Sequence, residues 1–252
     1  MIPATLTAVI LTHNEQRNIV DCIESLRWAN EIVVFDSFSD DGTPALAQAS
    51  GARVLQHPFV NFAQQRNAAL ERIEADWIFF VDADERCTPE LAAEVRQVIA
   101  ERPEAGWWVP RRNYIVGRWI RGGGWYPDYQ MRLLRRRAAR YDPAREVHEL
   151  VLLDGAAGYL QNTLIHYNYD TWGQFIEKQR RYLKLDAGMQ FKAGVHPHPW
   201  TYVLQPLREF CRRYITLRGY RDGAHGLILS LLLAYTTLLT TIEVARRRRA
   251  AS

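Results

Sequence analysis

Short apolar runs that each end in a polar cluster, repeated along the first hundred residues, constrain this chain more than any other feature. Residues 6–12 (LTAVILT) are apolar and rich in β-formers, and they give way to HNEQRN. Ile19, Cys22, Ile23, Leu26 and Ala29 then recur at helical spacing. EIVVFD (31–36) predicts a second buried strand, followed by the turn-rich SFSDDGT; Pro44 opens a helical stretch that stops at Gly51. Arg53 to Leu55 reads as a brief third strand, Phe62 to Ile73 as a helix, and DWIFFVD (76–82) as a fourth strand. Pro89 starts the next helix, which runs to Glu101. Continuous apolar strands alternating with helices predict an α/β fold with a mostly parallel sheet covered on both faces. HNEQRN, DSFSDDGT and DADER all follow strands at their carboxyl ends, the edge where open α/β sheets bind ligands. The three clusters are therefore expected in one crevice.

With 252 residues, the chain can bury one α/β core and still carry a smaller appendage. From residue 107 the texture changes to WWVPRRNYIVGRWIRGGGWYPDYQMRLLRR, which suits loops and short strands. Helical patterning returns over Thr171 to Leu185, and HPHPW (196–200) reads as a hinge before a terminal helical region. The expected organisation is a domain over 1–190, in two halves (1–105 and 106–190), with a separate region at 199–252. Cys22, Cys87 and Cys211 lie far apart, which suggests neither a zinc site nor a disulfide framework and fits a reducing cytoplasm. The start of the sequence has no basic segment or cleavage site of the secretory kind. Arginines gather late, in RLLRRRAAR (132–140), at Arg212 and Arg213, and at Arg246 to Arg249. They suit phosphate groups or an acidic membrane surface, and no nucleic acid is expected.

Asp82 and Asp84 stand two apart at the end of the fourth strand, with Glu85 and Arg86 extending the cluster. Hard cations such as Mg2+ or Mn2+ take carboxylate oxygens, often one or two from protein and the rest from phosphate and water. A strand-end D-x-D fits that need. Asp36 ends the second strand and is suited to accept hydrogen bonds from a base or ribose; Asn14 and Glu15 follow the first strand. Arg66 and Asn67, in QQRNAAL, lie on a helix that can point to the same edge.

LTHNEQRNI, DSFSDDGT, QQRNAAL and DWIFFVDADER occur in the order and spacing of glycosyltransferase family 2. They resemble the bacterial branch of lipopolysaccharide-core β-1,4-glucosyltransferases, strongly over residues 5–90 and fairly to about 185, where VHE (147–149) and HYNYDTWGQFIEKQRRY (166–182) also match. The resemblance implies a GT-A fold and a UDP-type donor lying across Asn14, Glu15, Asp36 and the D-x-D pair. Thr12, Ser37 and Asp41 belong to the same matching segments. It also implies inversion by single displacement, with Asp82 and Asp84 serving a divalent metal. The branch reads D-S-G-S-T-D-G-T where this chain has Phe38 for the glycine and Asp40 for the threonine.

Single displacement needs a general base for the acceptor hydroxyl. By order along the family, Asp128 in GGGWYPDYQMRL fits first, Glu149 second and Asp142 third, with Gly122 to Gly124 expected to bring backbone close to the sugar. Family logic also brings a late histidine to the metal, His148 or His166. Arg132, Arg135 and Arg136 are candidates to hold the diphosphate or a phosphorylated acceptor.

In the tail, Val203, Leu207, Phe210, Tyr214 and Leu217 share one helical face flanked by Arg208, Arg212 and Arg213, a basic amphipathic helix suited to a membrane interface. Gly226 to Ile242 is uncharged but holds six hydroxyl residues. It falls short of the roughly 20 apolar residues of a span, so monotopic attachment or a packed hairpin is expected. The acceptor is then a lipid-linked or lipopolysaccharide-core saccharide at the inner face of the cytoplasmic membrane. Other readings are a transferase acting on a polyprenyl phosphate and a non-catalytic, membrane-bound nucleotide-binding protein. A sugar nucleotidyltransferase would need a glycine-rich phosphate loop after the first strand, where this chain has THNEQRN.

Overall fold

The computed structural model describes residues 4–143 and 150–251. The chain opens with β1 (Leu6–Thr12), α1 (Ile19–Glu24), β2 (Glu31–Asp36), α2 (Thr43–Ala49), β3 (Arg53–Gln56) and α3 (Phe62–Arg72). Then come β4 (Trp77–Asp82), β5 (Glu85–Cys87), α4 (Pro89–Glu101), β6 (Gly106–Ile115), β7 (Arg118–Trp119) and β8 (Asp128–Arg135). Short strands β9 (Ala139–Tyr141), β10 (Val151–Leu153) and β11 (Ala157–Tyr159) precede β12 (Leu164–Tyr169). Helices α5 (Trp172–Lys192), α6 (Thr201–Cys211) and α7 (Gly223–Ala251) complete it.

Two compact units divide these elements: Met1–Arg111 with Tyr129–His166, and Arg112–Asp128 with Tyr167–Ser252. The division differs from the expected 1–190 and 199–252. The reason is packing: Phe175 of α5 shares a buried cluster with Ile115, Ile120, Tyr169 and Leu229, so α5 belongs with α7.

In the first unit the strands run β3-β2-β1-β4-β8-β6-β12-β5. β1 pairs in parallel with β2 and β4, and β2 with β3, while β8 lies antiparallel to β4 and β5 to β12. Alternate residues of a strand face opposite sides, and here both sides are covered. Ala8 and Ile10 pack with Cys22, Ile23, Leu91 and Val95 from α1 and α4. Val9 packs on the other side with Phe35, Ala69, Leu70 and Phe80, against α3. That two-sided burial is why the strand interiors are apolar apart from Thr7, whose hydroxyl donates to Glu31. In register, Thr12 stands beside Asp36 and Leu11 beside Asp82. The carboxyl ends of three strands therefore emerge side by side.

In the second unit, buried Asp222 accepts the backbone N–H groups of Arg121 at 2.9 Å and Gly122 at 2.7 Å. A Cβ on Gly122 would lie 2.3 Å from the Arg218 carbonyl oxygen, and one on Gly226 would lie 1.8 Å from that of Gly219. The close approach Gly122 permits is to this backbone turn, where approach to a sugar was expected.

α7 has 29 residues, outrunning the stretch 226–242, and the segment that includes it is long and apolar enough to cross a membrane by length and composition. The expectation that it falls short is corrected. Thr236, Thr237, Thr240 and Thr241 each donate to the carbonyl four residues back at 2.9–3.0 Å, so their hydroxyls are satisfied within the helix. Its terminal arginines are partly internal structure. Arg246 and Arg247 pair with Glu243, Arg247 also donates to the Lys184 carbonyl, and Arg248 donates to those of Phe191 and Val195 at the end of α5.

Gly226→Ala is expected to lower stability by roughly 1–3 kcal/mol or more, since the new methyl meets backbone that cannot step aside. Gly173→Ala, whose Cβ would meet only the Thr171 hydroxyl at 3.7 Å, should leave the urea midpoint unchanged or slightly raised.

Candidate active site

The loops after β1 and β2 are tied to each other. Asn14 adopts the left-handed region (φ 59°), which Asn tolerates better than most residues. Its N–H donates to Ser39 Oγ at 2.9 Å, and its Oδ1 accepts from Asp40 N–H at 3.0 Å. Asp36 is fully buried and accepts from Thr12 Oγ1 (3.0 Å), Ser39 N–H (2.9 Å), Ser39 Oγ (2.5 Å) and Gln56 Nε2 (3.4 Å). In this arrangement its carboxylate shapes the loop, and a base would have to displace one of these donors. Ser37 N–H donates to the Thr12 carbonyl and Ser37 Oγ accepts from Gln65 Nε2. Asp41 accepts from Thr43 N–H and Oγ1 and from Gln16 N–H, starting α2. Phe38, also left-handed at φ 57°, is 54% exposed.

The D-x-D pair divides. Asp82 accepts from Arg132 Nη1 at 3.1 Å, from Arg132 Nη2, and from Arg66 Nη2 at 3.3 Å. Glu85, with no exposure, accepts from Arg132 Nη2 at 2.7 Å, Arg111 Nη1 at 3.2 Å and the Asp82 N–H at 2.9 Å. Burial pushes the Asp82 carboxyl up, but the Arg132 and Arg66 charges outweigh it and hold the group well below the usual carboxylate range. Burial also disfavours the Arg132 cation, and the Asp82 and Glu85 charges more than compensate, raising its pKa. Asp84 is not drawn into this network; its Oδ2 lies 3.3 Å from His166 Nε2. Glu15 stands close by: burial raises its carboxyl pKa, a hydrogen bond from Asn18 lowers it, and the charges of Asp84, Asp41 and Asp82 raise it further. That is a concentration of negative charge a cation would relieve.

Asp84 and His166 fit a divalent ion that takes its remaining ligands from phosphate and water. No cluster of three or more His, Cys, Asp or Glu with metal-site geometry occurs among the described residues. His148 and Glu149 lie outside the described residues. Asn67 gives its side chain to both backbone groups of Tyr141, and Arg136 donates to the Ala75 and Leu70 carbonyls. Arg135 stacks over Trp77. Asp142 donates its backbone N–H to Leu150. In the second unit, Asp128 Oδ2 accepts from Asn113 Nδ2 at 3.1 Å. Sequence reasoning assigned no role to Arg111 and left Glu85 as an extension of a polar cluster. An arginine and a glutamate inside strand-forming segments were the available signals.

The cysteines are free. Burial pushes the thiol pKa of Cys87 up to about 12 and that of Cys22 well above its ordinary value, which keeps both unreactive.

The profile described as "Glycosyl transferase family 2" matches residues 7–164, more than half of the chain. The chain belongs to glycosyltransferase family 2. The lipopolysaccharide core biosynthesis glycosyltransferase LpsC of Rhizobium meliloti (strain 1021) is 33% identical over 260 residues, 98% of this chain and 94% of that protein. An uncharacterized glycosyltransferase of Rickettsia felis (strain ATCC VR-1525 / URRWXCal2) is 35% identical over 246 residues, 93% of this chain and 87% of its own length. Among solved structures, S. aureus TarS 1-349 in complex with UDP superposes with a TM-score of 0.50 at 14% identity, covering 98% of this chain and 92% of that one. The fold is thus of the type expected for the family, a mixed α/β sheet with helices and a long apolar C-terminal helix.

Removing Arg132 would leave Asp82 and buried Glu85 short of countercharge, so Arg132→Met should cost about 3–5 kcal/mol in urea unfolding. Because the folded Asp82 pKa lies below that of free aspartate, about 3.9, its ion pairs are fully present above that value. They are lost as pH falls toward the folded pKa. The side chain is 35% exposed, so solvent screening moderates the effect. The urea midpoint should therefore drop on acidification below the ordinary aspartate range, and drop less in Asp82→Asn.

Proposed function

We propose that this protein is an inverting, divalent-metal-dependent transferase. It moves a sugar from a UDP-type nucleotide donor to a lipopolysaccharide-core or other lipid-linked saccharide at the inner face of the cytoplasmic membrane. The observation that carries the reading is the Asp84–His166 pair at strand ends that also hold Glu15 and Asp82. A Mg2+ or Mn2+ ion bound there supplies Lewis-acid stabilisation of charge developing on the leaving diphosphate. Asp84 and His166 hold it, while Asp82, locked by Arg132 and Arg66, keeps that edge rigid and faces the ribose. The loops of Asn14, Glu15, Asp36, Ser37 and Asp41, with Thr12, shape the nucleoside side. Asp128 takes the proton of the acceptor hydroxyl as the anomeric carbon is attacked, and Asn113 orients its carboxylate. The acceptor class rests on the relationship to LpsC, and the UDP-type donor on the motif resemblance.

Membrane attachment is read from the tail. Trp200, Val203, Leu204 and Leu207 on and beside α6 are all more than half exposed, and no residue of α6 is buried. Apolar exposure of this extent beside Arg208 suits an interface with anionic lipid. Not all of the basic tail is available for that contact, since Arg212 and Arg213 pair with Glu209.

The decisive experiment is release of UDP from UDP-sugars by the purified chain, with and without Mn2+ or Mg2+ and with membrane extract as acceptor. Asp84→Ala and His166→Ala should each reduce metal-dependent turnover at least a hundredfold, whereas Asp128→Asn should keep donor binding and lose transfer. Full activity in Asp84→Ala, or none in the native chain with any nucleotide sugar, defeats the reading. For the tail, Val203→Asp with Leu207→Asp should shift the protein from vesicles containing anionic lipid to the supernatant in sedimentation. Truncation before α6 would be a poorer test, because it also strips Leu229 from a buried cluster.

A further inference from the structure

Most arginines that carry structure in this protein are met by a carboxylate or a carbonyl. Two on the β6–β7 hairpin are not. β7 pairs antiparallel with the end of β6, with Tyr114 opposite Trp119 and Ile115 opposite Arg118; the pairing continues as Ile120 N–H donates to the Asn113 carbonyl at 3.0 Å. With a side-chain period of two, Arg112, Tyr114, Trp119 and Arg121 share one face of the hairpin. The Arg112 guanidinium carbon stands 4.9 Å from the Trp119 ring centre and that of Arg121 stands 4.3 Å from it. Tyr126 meets the same ring edge-on at 5.6 Å.

Two cations on one indole repel each other, and among the described residues neither is ion-paired. Arg112 Nε and Trp119 Nε1 are buried N–H donors with no hydrogen-bond acceptor. Buried donors left unmet are rare in folded proteins and call for an explanation. An anion with several acceptor oxygens answers both features at once: it cancels the repulsion and accepts from the N–H groups, and guanidinium forks match carboxylate and phosphate geometry. Trp119 holds the forks in place through cation–π contact. Tyr126 is two residues from Asp128, so the cluster sits beside the residue read above as the base.

We propose that Arg112 and Arg121, mounted on Trp119, form a subsite for an anionic substituent of the acceptor saccharide, a phosphate ester or a sugar carboxylate. The assignment to the acceptor rests on the transferase reading of Asp128; the anion site itself does not. The nearby alternative, a solvated basic turn, would leave Trp119 and its buried N–H indifferent to anions.

The test reads the Trp119 indole N–H resonance, assigned by its loss in Trp119→Phe, while the full chain is titrated separately with inorganic phosphate, methyl glucuronide and neutral methyl glucoside. At least one anion should shift the resonance saturably, and Arg112→Gln and Arg121→Gln should each weaken its binding about tenfold. Arg121 is exposed, so its substitution leaves a folded protein with which to judge the result. A response to phosphate alone assigns a phosphorylated acceptor, and a response to glucuronide alone an acidic sugar. Equal shifts with methyl glucoside, no shift with either anion, or shifts untouched by both arginine substitutions would overturn the proposal. Because binding is read without donor or turnover, a chain that binds anions here but releases no UDP would fail the transferase reading and leave this site standing.

Discussion

A single guanidinium, that of Arg132, joins the two carboxylates at the end of the fourth strand. Asp82 and Glu85 would repel each other in a site this buried, and Glu85 has no solvent to turn to. Arg132 reaches across from β8 to both, with Arg111 and Arg66 closing the network from β6 and α3. Three elements far apart in sequence are thus held at one strand end. The antiparallel pairing of β8 with β4 brings Arg132 to that level, so the sheet order and the ion network depend on each other.

This arrangement gives the two aspartates of the D-x-D motif different work. Asp82 is neutralised from behind and contributes rigidity. Asp84, in the turn between β4 and β5, keeps its carboxylate beside His166, and its charge is among those that raise the Glu15 pKa. In three dimensions the motif is one acid held by arginines and one held beside a histidine.

Much of the first unit was legible in the sequence because its signals are local. Continuous apolar runs marked β1, β2 and β4, Pro89 marked the start of α4, and the strand-end polar clusters did emerge side by side. What stayed hidden were partnerships between distant segments. Nothing near Glu85 signals that its partner lies 47 residues onward, and nothing in GGG shows that Gly122 packs on the Arg218 carbonyl. The compact units were hidden for the same reason: α5 reads as a continuation of the sheet domain until Phe175 is seen beside Leu229. α7 outruns the uncharged stretch 226–242 because the helix continues through charged residues, where Glu243 pairs with Arg246 and Arg247.

The threonines of α7 have a consequence for how the tail partitions between phases. A side-chain hydroxyl normally favours the aqueous phase because leaving it forfeits hydrogen bonds. Here each hydroxyl carries its acceptor with it, one turn back along the same helix. The transfer free energy of that stretch is then governed by its leucines and isoleucines and by the glutamate and arginines at its end. The threonine content, which looks like a barrier to leaving water, is close to neutral.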